Sequence, residues 1–286
     1  MSRQPAVGVR PLLTGLRFPE APRWRDGRLW FSDMLDRRVC SVDLDGQLTT
    51  IAKLDDMPGG LGFQVDGTPV VVGMNSARLF VLADGTATPR SDLGASADHL
   101  DDMVVTHDGV AYVGAVGAKI AAGQRPSGKV IRVDADGQIT TVATGIAFPN
   151  GCAVSPDGRL LLSETMGNQI LAFDIEPDGS LAGRRTFAHL PGLHPDGLAL
   201  DAAGAVWIGC YSESIFVRVI DGGRITHVIE AEDRWATGVE LGGPDGHTLF
   251  MTSSRTEIRK FFRGEAVGRI DTVRVDIPAA TPYSVR

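Results

Sequence analysis

Four short segments, far apart in the chain, carry a side-chain oxygen at a similar place. They are FPEAP from Phe18, HLDDM from His99, FPNGC from Phe148 and HPDGL from His194. Their oxygen-bearing residues are Glu20, the pair Asp101–Asp102, Asn150 and Asp196. Carboxylate and amide oxygens are the ligands that hard divalent cations such as Ca²⁺ prefer. The alternative is that these residues only form turns, since Asp, Asn and Gly suit local backbone hydrogen bonding.

A second pattern, the dipeptide Asp-Gly, indicates which elements position these side chains. It occurs eleven times, and ten copies stand between short runs of β-type residues. Asp-Gly in that setting predicts a β-hairpin with a type I′ turn, in which both central residues have positive φ. The eleventh copy, Asp196-Gly197, lies in one of the four segments above. The chain is therefore predicted to be all-β.

The hairpin unit repeats along the whole chain. A turn, an alternating strand and a small or acidic residue recur as RDGRLWFSD from Arg25, SPDGRLLLSE from Ser155 and GPDGHTLFMT from Gly243. The first turns of six such units are 40–49 residues apart, at Gly27, Gly67, Gly109, Gly158, Gly204 and Gly246. This period, with four strand-sized segments per unit, indicates β-propeller blades. A β-sandwich, the competing fold, has no sixfold period. We predict a six-bladed β-propeller with four-stranded antiparallel blades around a central metal channel, a single domain over residues 1–286.

Propeller geometry brings the four segments to one place. Each lies where the chain crosses from the outer strand of one blade to the inner strand of the next, at one mouth of the channel. Carboxylates gathered in such a half-buried funnel repel one another and are hard to keep ionised without a cation. For the set as a whole, a metal site is therefore favoured over turn formation. The third blade has about nine extra residues on this face, within Gly114–Gly128, and such insertions often mark a binding face.

Composition excludes several classes of partner. The 286 residues include 28 Lys+Arg and 35 Asp+Glu, and the net charge of −7 without a basic run argues against nucleic acid. The polar N-terminus does not resemble a signal peptide, and no apolar run approaches the ~20 residues of a membrane span. Cys40, Cys152 and Cys210 are widely spaced and odd in number, which fits buried thiols of a cytoplasmic protein. We expect a small-molecule substrate, with no membrane and no evident protein partner.

The motifs FPEAPRW, DGRLWFSD, FPNGCAVSPDG and HPDGLALD together resemble those of the senescence-marker protein/gluconolactonase family, also called regucalcin-like. Diisopropyl-fluorophosphatases and the staphylococcal drug-responsive lactonase are relatives of that family. The resemblance extends over residues 10–278. It implies a six-bladed propeller with one divalent metal ion at the top of the channel. The implied activity is usually lactone hydrolysis and, in some members, organophosphate hydrolysis.

The resemblance also assigns roles to single residues. Glu20 and Asn150 match the metal-binding glutamate and asparagine of the family. Asp196 matches the aspartate that both binds the metal and is proposed as the catalytic base or nucleophile. The predicted metal ligands are therefore Glu20, Asn150 and Asp196, and Asp196 is the predicted catalytic residue. Oxygen ligands favour calcium and also admit magnesium, manganese or zinc.

The third blade departs from the family pattern. Sugar lactonases have an arginine, one further residue and then Asn-Asp, whereas this chain has His99, Leu100 and then Asp101-Asp102. Asp101 and His99 are therefore predicted to contact the substrate, with Asp101 as a further or water-mediated metal ligand. A substrate-binding glutamate of the family has no clear counterpart near Ala118 and Lys119. Gluconolactone loses support, and a smaller or more apolar substrate is expected.

We expect a divalent-metal-dependent hydrolase, a lactonase that opens a small lactone to a hydroxy acid. Two alternatives stay open: hydrolysis of a phosphotriester or another non-sugar ester at the same site, and a non-catalytic propeller that binds calcium. Phe18, Phe148 and Trp235 stand beside the channel mouth and are candidates for an apolar pocket wall. Ser32-Asp33 and Ser163-Glu164 end second strands near the same face, where small and acidic residues are common.

Overall fold

The computed structural model describes residues 8–117 and 127–280. Within these ranges the chain forms 24 strands in six four-stranded antiparallel sheets, and the predicted six-bladed β-propeller is confirmed. Ala118 and Lys119, which the sequence placed in the blade-three loop, lie outside the described residues.

The first strand, β1 (Arg10–Leu16), belongs to the last blade. Blade one then comprises β2 (Pro19–Arg25), β3 (Arg28–Asp33), β4 (Arg38–Val42) and β5 (Leu48–Lys53). Blade two comprises β6 (Pro58–Phe63), β7 (Pro69–Gly73), β8 (Arg78–Ala83) and β9 (Thr86–Asp92). Blade three comprises β10 (His99–Val105), β11 (Ala111–Val116), β12 (Gly128–Val133) and β13 (Ile139–Ile146).

Blade four comprises β14 (Pro149–Val154), β15 (Arg159–Glu164), β16 (Gln169–Ile175) and β17 (Leu181–His189). Blade five comprises β18 (Pro195–Leu200), β19 (Val206–Cys210), β20 (Ile215–Val219) and β21 (Ile225–Glu230). Blade six comprises β22 (Trp235–Gly242), β23 (Thr248–Arg255), β24 (Val267–Arg274) and, as its outer strand, β1.

Helical structure in the described ranges is limited to two 3₁₀ turns and one short helix. The turns are Met34–Asp36 and Thr165–Gly167, and the helix is α1 (Ile258–Phe261), which lies between β23 and β24. No helix in this part of the chain is long and apolar enough to cross a membrane.

The ring is closed by the N-terminal strand, which the sequence analysis did not assign. Strand β1 pairs antiparallel with β24, from Arg10 opposite Thr272 to Leu16 opposite Gly268. Leu16 is buried in the same cluster as Leu29 of blade one and Phe250 of blade six. One strand therefore completes the last blade and also packs against the first.

Most of the Asp-Gly turns differ from the predicted type. Of the ten hairpin aspartates, Asp26 and Asp84 alone have the positive φ that a type I′ turn requires. In the other eight hairpins the glycine has positive φ and the aspartate does not, and after Gly222 the next residue, Gly223, has it as well; the amide of Gly158, for example, donates to the carbonyl of Ser155 at 2.9 Å. This is a type I turn followed by a left-handed glycine, the usual three-residue hairpin loop. The dipeptide correctly marks the hairpins but not their type.

Burial falls from the inner strands of each blade to its outer strand. Every residue of β18 and β19 is buried, whereas β5 exposes four of its six residues. Strands buried on both faces read as nearly continuous apolar runs, and VWIGC in β19 is an example. The core therefore lies between neighbouring blades, and the innermost strands form the wall of the channel.

The innermost strand of every blade has a β-bulge near its start. In blade two, Pro58 pairs with Gly73 and Leu61 pairs with Val71, so β6 has one more residue than its partner over this interval. The other innermost strands show the same shift next to Glu20, Asp101, Asn150, Asp196 and Thr237. A bulge bends the strand and redirects side chains. The sixfold bulge therefore gives all six blades the same local geometry at the channel mouth.

Candidate functional site

The predicted ligand residues occupy equivalent places in the fold. We call these places the ligand positions; from blade one to blade six they hold Glu20, Gly59, Asp101, Asn150, Asp196 and Thr237. The rim positions, two residues earlier, hold Phe18, Met57, His99, Phe148, His194 and Trp235. Hydrogen bonds between neighbouring blades occur at this height: the Ser32 hydroxyl of β3 donates to the Gly59 carbonyl of β6 at 2.7 Å, and the Thr237 hydroxyl of β22 donates to the Pro19 carbonyl of β2 at 2.9 Å.

Glu20 and Asp196 share one electrostatic environment although they belong to blades one and five. Burial, followed by repulsion from Asp196, Asp101 and Asp102, raises the pKa of Glu20 well above its usual range. Burial, followed by repulsion from Asp101 and Asp102, does the same to the pKa of Asp196. The side-chain amide of Asn150 donates a hydrogen bond to Asp196 and partly opposes that rise. The fold thus brings Glu20, Asn150 and Asp196 to the same mouth of the channel.

Asp101 and Asp102 differ in their surroundings although they are adjacent. Burial and the neighbouring charge of Asp102 raise the pKa of Asp101 to about 8. Asp102 is 7% exposed; burial raises its pKa too, but Arg23 opposes the rise. The Arg23 Nη2 lies 3.2 Å from the Asp102 Oδ1 and donates to the Met103 carbonyl at 2.8 Å. Among the described residues, an arginine opposes the rise for Asp102, whereas no cationic side chain does so for Asp101.

The chemistry of this donor set fits a hard divalent cation. Two carboxylates and an amide supply oxygen atoms, and a cation would relieve the repulsion that raises the carboxyl pKa values. In residues 8–117 and 127–280, no three His, Cys, Asp or Glu side chains are arranged so that they could hold a metal ion by themselves. The proposed set does not need such a trio, since Asn150 is its third member. Glu20, Asn150 and Asp196 are therefore the residues that would hold the ion, with Asp101 beside them.

His99 lies at the rim position of blade three. Burial lowers the pKa of the His99 imidazole, against the attraction of Asp56 in blade two. A neutral imidazole offers one donor and one acceptor, unlike the fixed multiple donors of an arginine. With His99 in place of an arginine, this side of the mouth is therefore less polar.

A row of aromatic side chains lines the mouth across blades five, six and one. The rings of Phe18 and Trp235 are 6.3 Å apart, those of Phe18 and Phe261 5.0 Å, and those of Trp235 and Tyr211 5.3 Å. Burial raises the pKa of Tyr211, and the charge of Asp196 raises it further. This row of rings therefore extends close to the ligand position of blade five. The expectation that Phe18 and Trp235 stand together is met, whereas Phe148 has no ring contact within the described residues.

Sequence reasoning missed three members of the site. Arg23 follows a ligand motif by one proline and was treated as part of that motif. Tyr211 and Phe261 lie in loops between the second and third strands of blades five and six. Their signal in the sequence was weak because a single aromatic residue in a loop has no periodicity, although these loops were expected on the ligand face.

Comparisons with known proteins agree with this architecture. The family described as SMP-30/Gluconolactonase/LRE-like region matches residues 18–255. The chain is similar to 6-deoxy-6-sulfogluconolactonase of Pseudomonas putida, with 30% identity over 246 residues, 82% of this chain and 83% of that protein. It is also similar to diisopropyl-fluorophosphatase of Loligo vulgaris, with 26% identity over 239 residues, 75% of this chain and 76% of that protein.

A solved structure supports the fold independently. The calcium-binding protein regucalcin from Agrobacterium tumefaciens superimposes with a TM-score of 0.81 at 20% identity, covering 100% of this chain and 99% of that one. The matched region includes every ligand position from Glu20 to Thr237. The chain therefore belongs to the SMP-30/gluconolactonase/LRE-like family.

Proposed function

We propose that this protein is a divalent-metal-dependent lactonase that opens a small lactone to a hydroxy acid. The observation that carries the proposal is the meeting of Glu20, Asn150 and Asp196 at one mouth of the channel, where burial and mutual repulsion raise the carboxyl pKa values. The name of the Pseudomonas putida relative, a sulfogluconolactonase, supports lactone hydrolysis. Calcium is the favoured ion, since carboxylate and amide oxygens suit it; magnesium, manganese and zinc are alternatives.

In the proposed reaction, Asp196 acts on the lactone or on water. A divalent cation bound at the ligand positions would supply Lewis acidity toward the lactone carbonyl. Asp196 either accepts a proton from the attacking water, or attacks the carbonyl carbon itself. In the second route the ring C–O bond breaks, the released oxygen takes a proton from water, and a further water hydrolyses the acyl-enzyme to the hydroxy acid and free Asp196. A bound cation would lower the basicity of Asp196, which is why direct attack stands beside proton transfer as the second route; the side-chain amide of Asn150 donates a hydrogen bond to the Asp196 carboxylate. Asp101 and His99 are proposed to contact the substrate from blade three.

The lining of the mouth favours a smaller or more apolar lactone over gluconolactone. Aromatic rings form one side, and His99 stands where sugar lactonases have a guanidinium. Replacing His99 by Arg is expected to shift preference toward gluconolactone. The measurement is kcat/KM for gluconolactone and for an unsubstituted δ-lactone, with both forms of the protein. A wild-type preference for gluconolactone of tenfold or more, about 1.4 kcal/mol of transition-state discrimination, would refute this preference.

The proposed activity is tested with protein stripped of metal and reconstituted with Ca²⁺, Mg²⁺, Mn²⁺ or Zn²⁺. Aldono-, aliphatic and aromatic lactones are screened with a pH indicator, because ring opening releases acid from each of them. Asp196→Ala is expected to lose at least about 100-fold in kcat, while Asp245→Asn, in a hairpin turn ion-paired to Arg274 at 2.8 Å, serves as the control. Acid release that persists at full rate after metal removal would refute the proposal.

The variant Asp196→Asn separates the two roles proposed for this residue, metal binding and catalysis. The amide keeps an oxygen for the metal but is neither a base nor a nucleophile. Metal binding with loss of turnover would support the catalytic part. Full activity in this variant would restrict Asp196 to metal binding.

One alternative substrate class has an observation in its favour. The similarity to diisopropyl-fluorophosphatase, together with the aromatic side of the mouth, supports hydrolysis of an apolar phosphotriester by the same residues. The same metal-loaded protein is assayed with a fluorophosphate ester by fluoride release.

The three cysteines are free and buried, which supports the cytoplasmic location inferred from the sequence.

A further inference from the structure

Three carboxylates outside the proposed ligand set bind the backbone just before each ligand. Asp33 Oδ1 accepts a hydrogen bond from the Phe18 amide at 2.8 Å, two residues before Glu20. Glu164 Oε1 accepts one from the Ala147 amide at 2.6 Å, three residues before Asn150. Glu213 Oε2 accepts one from the His194 amide at 2.8 Å, two residues before Asp196. The three blades that supply the proposed ligands thus share this contact.

The oxygens of the three carboxylates also accept from other donors. The Asp33 Oδ1 takes a second bond from the Arg17 amide at 3.0 Å, and its Oδ2 lies 3.0 Å from the Arg38 guanidinium. The Glu164 Oε2 accepts from the side-chain amide of Gln169 at 2.5 Å. The Glu213 Oε1 accepts from the Ser212 hydroxyl at 2.5 Å. If Asn or Gln replaced one of these carboxylates, its NH₂ group would face a hydrogen-bond donor that now binds a carboxylate oxygen.

The following loop of the same blade holds the rim residue from its other side. The Phe18 carbonyl accepts from the Met34 amide at 2.8 Å, and the His194 carbonyl accepts from the Tyr211 amide at 3.2 Å. In blade four the Phe148 carbonyl accepts from the Thr165 amide at 3.0 Å. Each rim segment is therefore bonded through an amide and a carbonyl to one loop, which fixes where the ligand that follows it begins.

Phe148 shows how strongly this segment is constrained. Its φ of 67° is in the left-handed region, which is costly for a bulky side chain and unusual before a proline. Residues held in such conformations persist where the surroundings determine them and cluster at functional sites. The bonds from the Ala147 amide to Glu164 and from the Thr165 amide to the Phe148 carbonyl help to hold this conformation, together with backbone bonds from Phe148 to Ile146 and from Met166 to Ala147, each 3.0 Å.

We propose that Asp33, Glu164 and Glu213 are positioning residues of the metal centre, which preset Glu20, Asn150 and Asp196 for one ion. The inference rests on the proposed function, because it assumes that these three residues bind the metal. Groups that orient metal ligands from outside typically change metal affinity by about 10–100-fold. Blade two contains a similar bond, from the Met57 amide to its neighbour Asp56 at 2.6 Å, but has glycine at its ligand position.

Asp201 provides a matched control for burial and charge. It is 1% exposed, accepts from the Ala203 amide at 2.9 Å and pairs with the Arg218 Nε at 2.6 Å. It differs from the three proposed positioning residues in its place, since it lies in the first hairpin turn of blade five, on the opposite face from the ligand positions. Its loss is expected to lower stability without changing metal affinity.

The test uses Asp33→Asn, Glu164→Gln, Glu213→Gln and the control Asp201→Asn in the full chain. Calorimetric titration of metal-free protein with Ca²⁺ gives the affinity, and thermal unfolding of the same metal-free samples gives the stability. The first three variants are expected to bind Ca²⁺ roughly 10–100-fold more weakly than wild type, and more weakly than any change in metal-free stability explains. Asp201→Asn is expected to unfold at a lower temperature and bind Ca²⁺ as wild type does.

The outcomes separate this inference from the proposed function. If wild type binds Ca²⁺ and the three variants bind it equally well, the positioning inference is refuted and the lactonase proposal stands. If wild type binds none of Ca²⁺, Mg²⁺, Mn²⁺ and Zn²⁺ in the same titration, the metal site itself is refuted, and the inference with it. Should Asp33→Asn or Glu164→Gln fail to fold, Glu213→Gln decides, since the Glu213 side chain is 21% exposed and tolerates replacement more readily.

Discussion

Arg23 places a positive charge in the channel wall, close to the carboxylates at the ligand positions. Its guanidinium pairs with Asp102 and donates to the carbonyls of Met103 and Pro22, at 2.8 Å in each case. Side-chain exposures of 17% for Arg23 and 9% for Asp102 make this a largely buried pair. Removing one partner of such a pair leaves a buried charge uncompensated, which costs more than the pair contributes.

We therefore expect Arg23→Met to lower the free energy of unfolding by about 3–5 kcal/mol. Urea titration of the metal-free protein measures this loss. The double variant Arg23→Met/Asp102→Asn is expected to recover a large part of it, because the unpaired carboxylate is then absent. A single variant as stable as wild type would contradict the assigned ion pair.

Glu240 gives stability a pH dependence that is distinct from metal binding. Burial raises the pKa of Glu240 to about 7, against the attraction of Arg23. The pKa of the folded protein is above the ordinary value of 4.5, so the folded state binds the proton more tightly than the unfolded state. The free energy of unfolding should therefore fall as pH rises from about 4.5 through 7.

We expect Glu240→Gln to remove the part of this decline that Glu240 contributes, while the raised pKa values of Glu20, Asp101 and Asp196 keep the rest in both proteins. Urea titrations of metal-free wild type and variant, between pH 5 and pH 8 in steps of about one unit, measure the difference in slope. The two proteins should be closest in stability at the acid end and diverge as the pH rises. Parallel curves over the whole range would mean that Glu240 titrates in the same way in both states.

At the scale of single residues, spacing was a sufficient guide where a repeat supported it. Glu20, Asn150 and Asp196 could be proposed as ligands because each stands in a similar motif at an equivalent blade position. Arg23 and Glu213 had no such signal, since the partner of each becomes near only after folding: Asp102 is in another blade, and His194 lies just before β18, two strands ahead of Glu213. The places of Asp33 and Glu164 at strand ends were visible, but their hydrogen bonds to backbone amides were not.

At the scale of elements, the bulged inner strands and their glycines set how closely the blades approach. A Cβ added at Gly151 would lie 2.5 Å from the carbonyl oxygen of Asp196 in the next blade. A Cβ at Gly60 would overlap the backbone of Met103 in the same way. In these strands glycine serves close packing, because the backbone of the neighbouring blade occupies the place of a side chain.

We expect Gly151→Ala to lower stability by about 1–3 kcal/mol through overpacking and to weaken Ca²⁺ binding, because Asp196 must move. The control is Gly137→Ala, at a hairpin turn where φ is 92° and nothing lies within 4 Å of the added Cβ. There the cost should be about 1–2 kcal/mol from backbone strain alone, with Ca²⁺ affinity unchanged. Melting curves and calorimetric titrations measure both effects, and equal Ca²⁺ affinity in the two variants would contradict the expected movement of Asp196.

The hairpins show the limit of element prediction from dipeptides. Asp-Gly marked the turns because glycine takes the left-handed conformation and the Asp carboxylate accepts from amides two residues on, as Asp136 does from Gln138 at 3.0 Å. Those properties serve the type I turn with a left-handed glycine as well as the type I′ turn. Turn type depends on how many residues the two strands leave unpaired, which the dipeptide does not encode.

At the scale of the whole molecule, a period of 40–49 residues predicted the number of blades but not the closure of the ring. Strand β1 has no Asp-Gly beside it and lies far in sequence from β24. The period identifies units, whereas closure depends on which strand the last unit lacks. That information is present only in the pairing of Arg10–Leu16 with Val267–Arg274.

We expect deletion of residues 1–16 to lower the melting temperature and to cause self-association. The loss exposes the edge of β24 and the apolar cluster around Leu16, and an unpaired apolar edge strand pairs with other chains. Deletion of residues 1–7, which leaves β1 intact, is the control. Thermal unfolding and size-exclusion chromatography measure the two effects; a monomeric protein of unchanged melting temperature would show that β1 contributes little.

The pairing of β1 with β24 also determines when the protein can be completed during its synthesis. The ribosome makes β1 first and β24 last, and at about 5–20 residues per second the two are separated by roughly ten to fifty seconds of translation. Blades one to five can assemble from the emerging chain in that interval. During this time β1, with its Leu12 and Leu16 side chains, has not yet paired with β24. A chain that ends before Val267 therefore lacks β24 and leaves β1 unpaired, and we expect it to self-associate through this exposed edge.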